Sequence, residues 1–149
     1  MRVIGVDPGV SGAIAVISGT SWPGIIRNDS TEADIAEFVQ FWADFGIDFA
    51  FIERVSAMPR QGVSSTFKFG RSYGFLRGLL IASRIPFEEV TPQKWQKAMG
   101  CLSGGDKNIT KGRAQQLFPQ LKITHATADA LLIAEYCRRV MCEELAGGA

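Results

Sequence analysis

The stretch Val3-Ile4-Gly5-Val6-Asp7-Pro8-Gly9, resumed after Gly12 by Ala13-Ile14-Ala15-Val16-Ile17, constrains this chain most. Two short apolar, β-branched runs separated by Pro8, Gly9 and Gly12 spell a hairpin made almost entirely of core. Asp7 is planted inside it. Aspartate is depleted in strands, and a partly buried ionised carboxylate is costly unless it is paired or holds a metal. Asp-Pro-Gly is also good turn chemistry, so Asp7 alone reads equally as a turn initiator or as a ligand. The remainder of the chain has to decide between them.

At 149 residues, with no Pro/Ser/Gly-rich linker, repeat or low-complexity tract, one domain spanning 1–149 is expected. Cys101, Cys137 and Cys142 are odd in number and lack paired zinc-type spacing, which points to reduced thiols. No apolar run approaches the roughly 18 residues that span a bilayer, and no basic segment followed by an apolar one opens the chain. A soluble, cytoplasmic protein without membrane partners is expected.

A net charge of +1 hides a strong asymmetry. Residues 1–53 carry 2 basic and 8 acidic side chains, whereas residues 54–113 carry 11 basic and 3 acidic. That basic middle comprises Arg54, Arg60, Lys68, Arg71, Arg77, Arg84, Lys94, Lys97, Lys107, Lys111 and Arg113. It is what a polyanion-binding face needs for phosphate neutralisation, although solvated helix faces also look like this. Phe67, Phe69, Tyr73 and Trp95 are interleaved with it and read either as base-stacking groups or as core.

The rest of the chain alternates strands and helices. Residues 22–28 form an edge strand weakened by Pro23 and Gly24. Thr31 with Asp34 makes a capping signal, followed by an apolar stripe of Ile35, Phe38, Val39, Trp42 and Phe45 and a stop at Gly46. Residues 47–53 read as a central strand ending in a second misplaced carboxylate, Glu53. A helix over 64–84 carries Gly70, Gly74 and Gly78, which cost helix propensity and imply close approach of another backbone or of a phosphate. Phe87–Val90 gives a fifth strand, and Thr91-Pro92 opens a helix closed by Gly100. A loop over 103–107 precedes a helix over about 108–118, and a last helix runs from about Thr127 to Leu145. This pattern predicts a layered α/β fold beginning with a three-stranded meander.

Asp7 ends the first strand, Glu53 ends a later one, and Asp129 falls in the first turn expected of the final helix. If those two strands are neighbours, three carboxylates converge. They cannot all ionise cheaply without a cation, and hard oxygen ligands favour Mg²⁺ or Mn²⁺ over zinc. Singly, each acid has an ordinary explanation: Glu53 as the partner of Arg54 or Arg71, Asp129 as a charge complementing the helix dipole. His125, the sole histidine, precedes Asp129 by four residues and shares its face if the helix starts early enough.

In this order, the Asp-Pro-Gly turn, the strand-ending Glu53 and the Asp129-Ala130-Leu131 helix resemble RuvC-type Holliday junction resolvases, particularly short phage or prophage members, within the ribonuclease H-like superfamily. Gly70-Arg71-Ser72-Tyr73-Gly74, Thr91-Pro92-Gln93-Lys94-Trp95, the Lys107 loop and Gln116-Leu117-Phe118-Pro119 extend the similarity over nearly the whole chain. The resemblance implies a five-stranded mixed sheet flanked by helices on both faces, a homodimer, four-way DNA junctions as substrate, and two Mg²⁺ ions per site that Mn²⁺ can replace. Carried over, Asp7, Glu53 and Asp129 are the metal ligands, His125 is a fourth ligand or proton acceptor, and Lys107 contacts the scissile phosphate. Arg54, Arg60, Lys68, Arg71, Lys94, Lys107 and Lys111 are the expected DNA contacts, and no nucleotide cofactor is expected.

Two departures stand out. The family places an acidic residue or histidine just ahead of the last aspartate; position 126 here is Ala, and His125 lies one step earlier. Some members place an aromatic wedge just after the strand-ending glutamate; the third residue after Glu53 is Ser56, leaving Met58 or Phe67 for that task. Outside junction resolution, the sequence is compatible with a broader branched-DNA or flap nuclease and with a non-catalytic DNA-binding module. An actin-like phosphotransferase also uses an early Asp-x-Gly hairpin, but it needs two lobes.

Overall fold

In the computed structural model, residues 1–56 and 59–148 are described. Strands β1 (Arg2–Val6), β2 (Ala13–Ser18) and β3 (Gly24–Arg27) form an antiparallel meander, to which β4 (Phe49–Glu53) and β5 (Phe87–Val90) add in parallel. The order is β3-β2-β1-β4-β5, the expected five-stranded mixed sheet with β1 at its centre. Val6 pairs with both Ile14 and Ile52. Because β1 and β4 are parallel neighbours, Asp7 and Glu53 therefore leave the same edge of the sheet side by side.

Successive side chains of a strand point to opposite faces, and both faces here are apolar. Val3, Ala13, Ala15, Ile17, Phe51 and Val90 face helices α3 (Pro92–Ala98), α4 (Lys107–Leu117) and α5 (His125–Gly147). Ile4, Val6, Ile14, Val16, Ala50 and Ile52 face α1 (Glu32–Phe45) and α2 (Val63–Ala82). Near-continuous apolar strands are what a sheet covered on both sides requires. Among the described residues, no helix is long and apolar enough to cross a membrane, and all three cysteines are free thiols.

Several boundaries differ from the sequence reading. Strand β3 is shorter than 22–28, starting at Gly24, whose α-carbon lies against the Trp42 indole so closely that an added Cβ would come within 2.7 Å of it. Helix α1 is capped as expected by the Thr31 hydroxyl, but Phe45 of its stripe stays on the surface beneath the Arg2 guanidinium. Helix α4 begins at Lys107, because the Asp106 carboxylate accepts from the Asn108 N–H and caps it. Lys107 thus belongs to a helix rather than to a loop.

Helix α5 begins at His125, two residues early, where the Thr124 N–H donates to the Thr127 hydroxyl at 3.1 Å. That places Asp129 in the second turn, where a helix-dipole explanation fades. Residues 130–137 of α5 are all buried, and the helix crosses β1 at Gly5. In α2, by contrast, only Leu76 and Leu80 are buried. Its Gly70, Gly74 and Gly78 have nothing within 4 Å of an added Cβ among the described residues, so the close approach they imply is not made there.

Candidate active site

Asp7 continues the hairpin ladder, its N–H donating to the Ala13 carbonyl at 3.0 Å, while Oδ1 accepts from the Gly9 N–H at 3.1 Å. Gly12 lies directly against this carboxylate: a Cβ there would sit 2.8 Å from Oδ2 and 2.4 Å from the Asp7 carbonyl oxygen. Two residues that sequence reasoning missed fasten the turn. The Asn28 side-chain amide donates to the carbonyls of Asp7 and Gly9, both at 2.7 Å, and the Ser72 hydroxyl donates to the Pro8 carbonyl at 3.0 Å. No local pattern marks either residue, since each acts through a backbone carbonyl distant in sequence. The turn reading of Asp7 is seen directly, and the same turn fixes where its carboxylate lies.

Glu53 pairs with neither arginine offered for it. Arg71 bonds Glu32 at 2.8 Å, and Arg54 leans toward Glu89 at 3.9 Å. Glu53 Oε2 instead accepts from the Trp95 indole N–H at 2.7 Å. Trp95 is fully buried, so it is not a base-stacking group. Asp129 follows His125 by one helical turn, the two sharing a face of α5. Its Oδ1 is buried and has no hydrogen-bond partner among the described residues, while its carboxylate is within reach of the Thr110 hydroxyl. Lys107 and Thr110, one turn apart on α4, both act on it.

The electrostatics bind these groups into one site. Burial, then the charge of Asp129, pushes the Asp7 carboxyl up to about 6. Burial, then the charge of Asp7, pushes Glu53 up to about 7. Asp129 is also raised, by burial, and Lys107 opposes the rise at all three. Among the described residues, no three acidic, histidine or cysteine side chains are already gathered closely enough to hold an ion. Their chemistry nevertheless fits a hard divalent cation: oxygen donors with uncompensated negative charge, one carboxylate oxygen buried and unpartnered, and an imidazole alongside.

These shifts have a sign. Acids whose folded values lie above their unfolded ones keep protons longer in the folded chain, so stability falls as pH rises from the ordinary carboxyl range through about 7. In metal-free buffer the thermal midpoint is expected to be higher near pH 5.5 than at pH 8, and Mg²⁺ at pH 8 to recover the difference. Scanning calorimetry with and without chelator checks this; a midpoint that climbs with pH in chelator contradicts it.

The expected DNA contacts divide by location. Arg54, beside Glu53, is exposed and lines a hollow of about 400 Å³ with Glu53, Phe69 and Gln93. Lys68 and Arg71 line a second hollow, of about 300 Å³, with Val10, Asn28 and Ser72 behind the Asp7 turn. Lys107 is in the site itself, Lys94 and Arg60 are exposed, and Lys111 is half-buried on α4. The ion pairs of Arg54 and Arg71 are surface pairs, worth at most about 1 kcal/mol, and do not prevent these side chains from turning to phosphates. Phe67 is 70 % exposed on α2, whereas Met58, the other wedge candidate, lies outside the described residues.

Neither known family profiles nor curated protein sequences match this chain. Solved structures do. The Thermus thermophilus RuvC structure superposes with a TM-score of 0.62 at 15 % identity, covering 95 % of this chain and 97 % of that one. Thermus thermophilus RuvC in complex with Holliday junction substrate gives 0.62 at 16 %, covering 94 % and 96 %. At such identity the likeness concerns the path of the backbone. Over nearly its whole length, then, this chain has the ribonuclease H-like α/β fold seen in RuvC.

Proposed function

We propose that this protein is a metal-dependent endodeoxyribonuclease that resolves four-way DNA junctions by symmetric phosphodiester hydrolysis, leaving 5′-phosphate and 3′-hydroxyl ends. The observation that carries it is the buried Asp129 oxygen with no partner among the described residues, in one electrostatic unit with the acids at two adjoining strand ends and with Lys107. A structural ion-pair network would have filled that oxygen with a donor. The shared fold with a RuvC solved on a Holliday junction supports the substrate class.

In this reading Asp7, Glu53, Asp129 and His125 hold Mg²⁺, or Mn²⁺ in its place. Bound there, the ions supply an acidified water and neutralise charge on the phosphate. His125 serves either as that fourth ligand or, unligated, as the acceptor of the attacking water's proton, and Lys107 offsets negative charge that builds on the phosphoryl oxygens. Arg54, Lys68, Arg71, Lys94 and Lys111 neutralise the flanking backbone, so binding weakens steeply with salt.

The test is incubation of a synthetic four-way junction, a flap and a linear duplex with the protein in Mg²⁺, Mn²⁺ or EDTA. Paired nicks at symmetric positions in the junction alone establish resolution. Cutting of flaps as well establishes the broader branched-DNA nuclease. No metal-dependent cutting leaves a DNA-binding module and overturns the proposal.

Symmetric cutting needs two sites facing two strands, and therefore a two-fold dimer. Helix α2 fits that role: Val63, Phe67 and Ile81 are exposed along it, and its three glycines face open space. Each helical glycine costs about 1 kcal/mol against alanine, a cost that close packing against a second copy offsets. Gly74→Lys is expected to raise helix stability yet yield a monomer by sedimentation, with junction resolution lost. A Gly74→Lys protein that still sediments as a dimer contradicts this surface.

A further inference from the structure

We infer that Trp95 is a positioning residue for Glu53: its indole N–H holds Oε2 and thereby fixes which carboxylate oxygen is presented to a divalent ion. The inference rests on the metal-dependent reading of the site and concerns a residue outside the four expected ligands.

Trp95 Nε1 lies 2.7 Å from Glu53 Oε2, a short bond of the kind made to a charged acceptor. The indole is fully buried, enclosed by the core beneath β4 and α5. It can therefore neither turn away nor be replaced by water without a cost in packing. The bond's other end is exposed to the opposite demand, because Glu53 hangs at the end of β4 on a three-torsion side chain beside the charge of Asp7. Left alone, mutual repulsion would swing it outward, toward Arg54 and the solvent.

Residue placement explains how a seven-residue helix accomplishes this. The Thr91 hydroxyl accepts from the Lys94 N–H, and Pro92 fills the first helical position, so α3 starts at a fixed point directly after β5. Strand β5 is bound to β4 through the pairing of Val90 with Glu53. The donor and the acceptor are thus set by the same ladder rung. A donor built into the core through a neighbouring strand holds a ligand more firmly than one on a loop. Partners of this kind, one bond removed from an ion, typically change its affinity about 10- to 100-fold when removed.

The experiment follows the indole N–H resonances of the ¹⁵N-labelled full chain during a Mg²⁺ titration without DNA. The Trp95 signal is identified by its loss in Trp95→Phe, and Mg²⁺ affinity is measured by calorimetry for wild type, Trp95→Phe and Glu53→Gln. The expected result is a saturable shift of the Trp95 signal in wild type, absent in Glu53→Gln, with Mg²⁺ affinity about tenfold weaker in Trp95→Phe and junction binding in EDTA unchanged. Should Trp95→Phe fail to fold, benzothienylalanine at position 95 keeps the ring shape and removes only the donor, and the same weakening is expected. Mg²⁺ binding with wild-type affinity in the donor-free protein, or with a stationary Trp95 signal, overturns the positioning role while leaving the nuclease reading intact. A wild-type chain that binds no Mg²⁺ overturns both.

Discussion

Asp7→Asn is expected to abolish junction cleavage, by about 10³-fold or more, equivalent to about 4 kcal/mol of lost transition-state stabilisation, while junction binding in EDTA is retained or tightened. The amide keeps the shape of the side chain and can still accept from the Gly9 N–H, so the turn survives. What disappears is a negative charge that the surrounding burial and Asp129 already disfavour. Removing it relieves Glu53, whose rise comes first from burial and then from Asp7, and stops repelling phosphates. On the proposed reading, the residues that would hold a divalent ion also lose an anionic oxygen. Gel-shift and cleavage assays on one junction separate the two effects, and full cutting by Asp7→Asn rules out the assigned site.

Gly5→Ala is expected to be among the most destabilising single substitutions in the chain. A Cβ at Gly5 would sit 2.2 Å from the Ala134 nitrogen and 2.3 Å from the Ala130 carbonyl oxygen, both backbone atoms of α5. No rotamer change relieves a backbone overlap, so the helix must lift from the sheet. That separates Leu131, Leu132 and Ile133 from the strands they cover. Overpacking of this kind costs about 3 kcal/mol at the upper end of the usual range, which lowers the midpoint of a chain this size by roughly 10 °C. Thermal melts check it; a Gly5→Ala midpoint within about 2 °C of wild type contradicts it. Cleavage should fall further than stability, because Asp129 rides on the displaced helix.

The strands and the three acids could be read in the sequence because each depends on local pattern: apolar runs, turn residues, and carboxylates where apolar residues were due. Adjacency of β1 and β4 turned two of those carboxylates into neighbours, and only pairing supplies that. What escaped reading depends on partners distant along the chain. Asn28 looks like an ordinary strand end until its amide meets the carbonyls of Asp7 and Gly9. Trp95 reads either as a stacking aromatic or as core until the fold buries it against Glu53. The early starts of α4 and α5 were hidden because Asp106 and the Thr124/Thr127 pair cap them without the usual glutamate signal. The glycines of α2 carry a helix cost for which no return is found among the described residues.

The crossing of α5 over β1 at Gly5 also orders events during synthesis. A ribosome releases the hairpin with Asp7 first and Glu53 next, yet Asp129 and the helix that covers the central strand emerge last. Until then one face of β1 and β2 is bare, and the parallel strand pairing that sets Glu53 beside Asp7 is a slow, non-local step. A nascent chain therefore holds two of the three acids without the third until α5 has emerged. The three acids come together only once α5 packs across β1.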